Sequence, residues 1–174
     1  QTKLLWQRQD TSKLLSSDVI EPALRQRLES VAELLSFADS EGLASHGAYS
    51  SYVETGQSYV IWNVFAARPY ALELKTSCFP IAGCVSYRGY FHESAAREYA
   101  EFLERQDYEV YVGGVVAYST LGWFEDPLLD TFLFRPEEQL AALLFHELAH
   151  QLVYVPGDTR FNESVATAVE FHLL

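Results

Sequence analysis

The sequence predicts an α+β domain, because long stretches of helical hydrophobic spacing alternate with short runs rich in β-branched and aromatic residues. The first helix is expected from Asp18 to about Ala38. Ser17 or Asp18 can cap it, Pro22 suits its first turn, and Leu24, Leu28, Val31, Leu35 and Ala38 recur on one face. Residues before it are expected to pack along the surface. Residues 42–56 have the Gly, Ser and Tyr content of a loop, and Tyr59 to Ala66 then reads as a strand. Leu72–Lys75 is a second strand candidate, and Val85–Phe91 a third or an irregular segment around Gly89. His92–Gln106 has helical periodicity, and Tyr108–Val112 follows with strand alternation. From Gly113 to Phe124 the reading divides. Two adjacent glycines allow a bulge, a close approach of the backbone, or an open strand edge that receives an extended peptide, and a core strand leading into a loop fits equally well. Arg135-Pro136-Glu137-Glu138 opens the next helix with carboxylates at its positive end, and this helix runs to Tyr154. A last helical run follows Asp158. The whole is expected to form one domain over residues 1–174, with a small mixed or antiparallel sheet beside the helices.

The chemistry concentrates in the helix that ends near Tyr154. His146-Glu147-Leu148-Ala149-His150 is an HExxH motif, and Asn162-Glu163 follows thirteen residues after its last histidine. Histidines four apart on a helix differ by about 40 degrees in direction and roughly 6 Å along the axis, so both imidazoles can reach one metal ion. Zinc suits that chelate. Glu147 sits beside the first ligand, where a carboxylate can take a proton from zinc-bound water and later deliver it to a leaving amine. Glu163 is the expected third ligand. Pro156-Gly157-Asp158 can turn the chain so that the last helix runs back along the motif helix. Two His, one Glu and an open position describe a catalytic zinc site better than a structural one, which is commonly closed and cysteine-rich. The bland alternative is a pair of satisfied core histidines, but ionisable groups on an otherwise apolar helix are costly to bury unpartnered.

Other roles are less narrowly assigned by the residues. Tyr154, Tyr118 or His172 can donate a hydrogen bond to the oxyanion of peptide hydrolysis. Glu170, Asp158 or Asn162 can orient a ligand imidazole from behind. An aminopeptidase also needs an anchor for the substrate amine, for which Glu98, Glu125, Asp126 and Asp158 are candidates, each against the simpler reading of a solvated surface charge.

Composition narrows the class. The chain has 174 residues, 49% apolar and 14% aromatic, enough for a sizeable core. Its formal charge of −12 carries no basic stripe, which argues against nucleic acid and against anionic membrane surfaces. No stretch of eighteen apolar residues is present to span a bilayer. The run Val165–Leu174 is still helical in pattern where the sequence stops without a cap, so either downstream sequence has been removed or the terminus is unusually abrupt. Cys78 and Cys84 bracket five residues including Pro80 and Gly83. They can form a disulfide, which would imply an oxidising compartment, remain two thiols, or bind a metal.

Several strings together resemble the bacterial family of predicted aminopeptidases: Tyr59-Val-Ile-Trp-Asn-Val-Phe-Ala66, Cys78 to Phe91, Val112 to Phe124, Phe145-His-Glu-Leu-Ala-His-Gln151 and Gly157 to Ser164. The resemblance extends from about residue 10 to the end. It implies a zincin-like fold of the thermolysin clan, compact and gluzincin-like, with His146, His150 and Glu163 on zinc and Glu147 as base. It implies a peptide or protein substrate, and a periplasmic or cell-envelope location with membrane association only through an upstream lipid anchor. The interval from motif to Glu163 is shorter than in thermolysin, which implies a tighter link between the two helices. An endopeptidase, or a catalytically silent module that binds envelope peptides, are the competing expectations.

Overall fold

A computed structural model describes residues 7–79, 83–117 and 125–174. The chain is α+β, and it divides into two compact units, residues 1–56 with 119–174, and residues 57–118. No helix among the described residues is long and apolar enough to cross a membrane.

The first unit is mostly helical. It begins with β1 (Gln9–Asp10) and α1 (Thr11–Leu15), where the Asp10 carboxylate caps the helix by accepting from the Ser12 and Lys13 amides at 2.9 and 3.2 Å. Helix α2 spans Pro22–Ser40. It starts four residues later than the capping residues suggested, because Pro22 takes the first helical position, where its missing N–H costs nothing. Leu28, Val31 and Ala38 are its buried positions, as the spacing predicted. Residues read as a loop contain β2 (Ser51–Val53), which pairs antiparallel with β1 and parallel with β8 (Leu128–Leu129). Helix α4 (Asp130–Leu133) follows directly. The Asp130 carboxylate accepts from Thr55 N, Thr55 Oγ1 and Gly56 N at 2.9, 2.6 and 2.9 Å, tying the end of β2 to the start of α4. Arg27 of α2 donates to the Leu133 and Arg135 carbonyls, satisfying acceptors that a short helix leaves free.

That clamp leads into α5 (Glu137–Leu152), which carries the HExxH motif. Leu140, Leu144 and Leu148 are fully buried on one face, and Phe37 of α2 meets Phe145 with ring centroids 6.0 Å apart. Burying each such leucine is worth roughly 1.5–3 kcal/mol, so the face that anchors α5 is independent of its polar residues. The helix ends where Val153 becomes extended, and Gly157 turns the link with φ of 84°, a conformation that favours glycine. Helix α6 (Thr159–Leu173) then begins, with the Asp158 carboxylate accepting from Phe161 N at 3.0 Å.

In the second unit, β3 (Ile61–Ala67) is central in an antiparallel sheet between β6 (Arg88–Tyr90) and β7 (Glu109–Val115). Helix α3 (Glu93–Glu104) covers one face, burying Ala96, Ala100 and Leu103 against Val64 and Ala66. The Leu72–Lys75 strand reduces to one isolated bridge between Leu74 and Ala67. The expected 85–91 strand is split: β4 (Ser77–Phe79) and β5 (Gly83–Val85) form a separate hairpin ahead of β6. Cys78 and Cys84 face each other across that hairpin and are joined as a disulfide with S–S of 2.10 Å. Strand β7 continues through both glycines, and the reason for Gly114 is a close approach. A Cβ there would lie 2.3 Å from the Tyr59 ring, which covers this position and meets Trp62 edge-on. The remainder of the Gly113–Phe124 reading lies outside the described residues from Tyr118 onward.

Candidate metal centre

The motif spacing places His146 and His150 one turn apart on α5, and their rings lie 5.0 Å apart and nearly perpendicular. Glu163, in the second turn of α6, reaches both. Its Oε2 is 3.2 Å from His146 Nε2 and its Oε1 is 3.6 Å from His150 Nε2. One ligand atom from each of these three residues falls within 4.8 Å of the others, the one such group of three or more among the described residues. Further along α6, Glu170 Oε2 lies 3.1 Å from His146 Nδ1. Since His150 meets Glu163 while His146 meets both Glu163 and Glu170, the two helices run in opposite directions, as the turn in the link implied.

His146 thus has a carboxylate against each ring nitrogen. A neutral imidazole carries one N–H and can donate to only one of them. Donation from Nδ1 to Glu170 leaves the Nε2 lone pair facing Glu163, an arrangement that a second proton or a shared cation completes. A carboxylate behind Nδ1 is also the usual partner that fixes the tautomer of a metal-binding histidine. His150 differs. It is 8% exposed, and its Nδ1 has no hydrogen-bond partner among the described residues. Burial pushes its pKa below the ordinary imidazole value, with Glu163 opposing the shift and His146 adding to it. His150 therefore presents a neutral nitrogen near pH 7, which is the form that binds metal. Glu163 is about half exposed, so the cluster opens to solvent on the carboxylate side. Two imidazole nitrogens and one carboxylate, converging with one side open, fit a zinc ion by donor type and number.

Glu147 is partly buried beside His146 on the same helix. Its charge reaches Tyr49, a residue that the loop-like composition of residues 42–56 concealed. Tyr49 is 5% exposed, has φ of 64°, and donates its amide to the Asp126 carbonyl at 2.8 Å. Its phenol is held well above the usual tyrosine pKa, first by burial and then by the charges of Glu147 and Asp126. Composition and periodicity carry no sign of that proximity, because nearly a hundred residues separate the two positions in the chain.

The remaining sequence candidates divide. Asn162 is buried, but its amide pairs with the Val155 backbone and not with an imidazole. Asp158 is the cap of α6. Asp126 is 3% exposed, which corrects its reading as a solvated surface charge. Glu125 is exposed and accepts from Ser50 Oγ at 3.5 Å. Glu98 is an exposed residue of α3 in the other unit. His172 lies nine residues after Glu163, half a turn round α6, and lines an apolar hollow with Leu43, Leu152 and Val169. Tyr154 lies in the link after α5 with 48% of its surface exposed, and Tyr118 is outside the described residues.

No curated protein and no solved structure matches the chain. One family model does, described as putative aminopeptidase, and it matches residues 1–173, which include both motif histidines, Glu163 and Glu170. Matched over almost its entire length, the chain belongs to the putative aminopeptidase family.

Proposed function

We propose that the protein is a zinc-dependent peptidase that removes residues from the free amino end of peptides. The family name points to peptide-bond hydrolysis. The observation that carries the metal reading is the convergence of His146, His150 and Glu163 within 4.8 Å on two antiparallel helices. This pair of helices also supports a zincin-like arrangement of the thermolysin clan. The disulfide between Cys78 and Cys84 supports an oxidising location such as the periplasm or cell envelope.

In this reading His146, His150 and Glu163 hold zinc, and Glu170 keeps the His146 ring oriented through Nδ1. Zinc, when bound, supplies Lewis-acid polarisation of the scissile carbonyl and acidifies water at its open position. Glu147 takes one proton from the attacking water. As the C–N bond breaks, the same carboxyl returns that proton to the departing nitrogen, so the base is regenerated. Tyr154 donates its O–H to the carbonyl oxygen as negative charge builds there.

Metal content, measured together with cleavage of a free-amine peptide library and its N-acetylated counterpart, tests the proposal. The expected result is one equivalent of zinc and cleavage of the free-amine set alone. Cleavage of both sets would assign an endopeptidase, and zinc without cleavage would assign a binding module. Glu147→Gln should retain zinc and lose at least about a hundredfold in turnover, by the usual contribution of a general base. Undiminished turnover in this variant would remove Glu147 from its role.

A further inference from the structure

Glu163 is the most exposed member of the metal cluster, so its place depends on how α6 is registered against α5. The residue before it holds that register by an unusual contact. Asn162 is 3% exposed, and its side-chain amide closes a two-bond ring with the backbone of Val155. Val155 N–H donates to Asn162 Oδ1 at 2.8 Å, and Asn162 Nδ2 donates to the Val155 carbonyl at 2.9 Å. Val155 is the third residue after α5 ends, and Asn162 lies in the first turn of α6. The ring therefore closes the second half of the link and fastens the start of the ligand-bearing helix to a point three residues beyond the motif helix.

The chemistry of that contact admits few replacements. It needs a donor and an acceptor on one short planar group, so that a side chain that is itself buried meets both backbone groups of Val155. Aspartate can accept from the amide but turns a second oxygen toward the carbonyl. Alanine satisfies neither, and glutamine is longer by one methylene. Asp158 caps the Phe161 amide with its carboxylate and donates its own amide to the Val155 carbonyl at 3.2 Å, closing the turn around Gly157, and the Asn162 bonds add a tie from the helix itself. The Asn162 side chain ties the first turn of α6 to Val155 of the link by hydrogen bonds in both directions.

We infer that Asn162 is a positioning residue for the metal centre, setting Glu163 at the distance from His146 and His150 at which all three reach one ion. This inference rests on the zinc reading given above.

A double-mutant cycle on the full chain tests it, with zinc affinity measured by competition against a chromogenic chelator. In the parent chain, Asn162→Ala and Asn162→Asp should each weaken zinc binding by about 10–100-fold, the range for losing a group that orients a ligand, here through the backbone. In a Glu163→Ala background, the same changes should have little further effect, because the group they position is gone. The visible spectrum of the cobalt-substituted Asn162 variants should shift toward that of Glu163→Ala. Thermal melts keep the affinity comparison to folded protein, and the near-isosteric aspartate variant serves where alanine loosens the fold. Equal losses in both backgrounds, or parent-like affinity in folded Asn162 variants, would overturn the inference. If the parent chain binds no zinc, the zinc reading itself fails and the inference fails with it, an outcome separate from the other two.

Discussion

Glu170 stands behind His146 at 3.1 Å from Nδ1, and its helical spacing from Glu163 is legible in the order of residues alone. Seven residues on a helix return to nearly the same face, so two carboxylates so spaced point at one neighbour. What the spacing left open was which imidazole Glu170 meets, and whether Asp158 or Asn162 meets one instead. Glu170→Ala should lower zinc affinity by about 10–100-fold, with Glu170→Gln less affected because its amide oxygen still accepts from Nδ1. Chelator competition reads both, and equal affinity in Glu170→Ala and the parent would remove this residue from the centre. Tyr49 offers a different test. Its folded-state pKa lies above the value of about 10 for an unfolded tyrosine. Above pH 10 the unfolded chain releases this proton while the folded chain keeps it, so the folded state binds more protons. Stability therefore falls as pH rises from 10 through the folded pKa. Urea melts of the metal-free protein between pH 8 and 11 should show that fall, and Tyr49→Phe should flatten it. An identical alkaline slope in Tyr49→Phe would assign the loss to other groups.

Helices α5 and α6 were the elements most readable from sequence, since their signals are local: carboxylates at the start, apolar residues at i, i+3 and i+4, and a Pro-Gly turn between them. Their energetics follow the same pattern. Leu144 is fully buried on the face of α5 away from the metal cluster. Leu144→Ala should cost about 2–5 kcal/mol of stability by urea denaturation, through lost burial and the cavity left behind. In the second unit, Gly114→Ala must displace the Tyr59 ring from β7. A loss of about 1–3 kcal/mol is expected, the range for overpacking, and a neutral substitution would mean that Tyr59 can leave without cost. The short elements escaped the sequence for a physical reason. β2 and β8 have three and two residues, and each exists because of the other, with Tyr52 opposite Leu128. Thr55 and Asp130 bond across 75 residues of chain. No window of periodicity contains both partners.

At the scale of the whole molecule, metal binding and folding should be linked. An ion that binds the assembled centre and not the unfolded chain stabilises the protein by about 2.7 kcal/mol at a concentration of 100 Kd. Zinc should accordingly raise the midpoint of thermal unfolding, a chelator should reverse it, and Glu163→Ala should reduce it. An unchanged midpoint at millimolar zinc would argue against a resident ion. The net charge of −12 makes the surface hospitable to a cation and unfavourable to nucleic acid, a property read from composition alone. By itself the sequence determined the α+β class, the helical run that bears HExxH, and the turn that brings Glu163 back toward it, whereas it left Cys78 and Cys84 open between a disulfide, two thiols and a metal site. Apart from the class, these depend on residues within seventeen positions of one another, where chain geometry leaves few choices. Only the tertiary structure decided that Glu170 backs His146, that Asn162 binds Val155, that Tyr49 lies within the field of Glu147, and that Asp126 is buried. Apart from the Asn162–Val155 pair, which is close in the chain but shows no periodic signal, those outcomes depend on packing between distant segments, and on the requirement that every polar group carried into that packing find a partner.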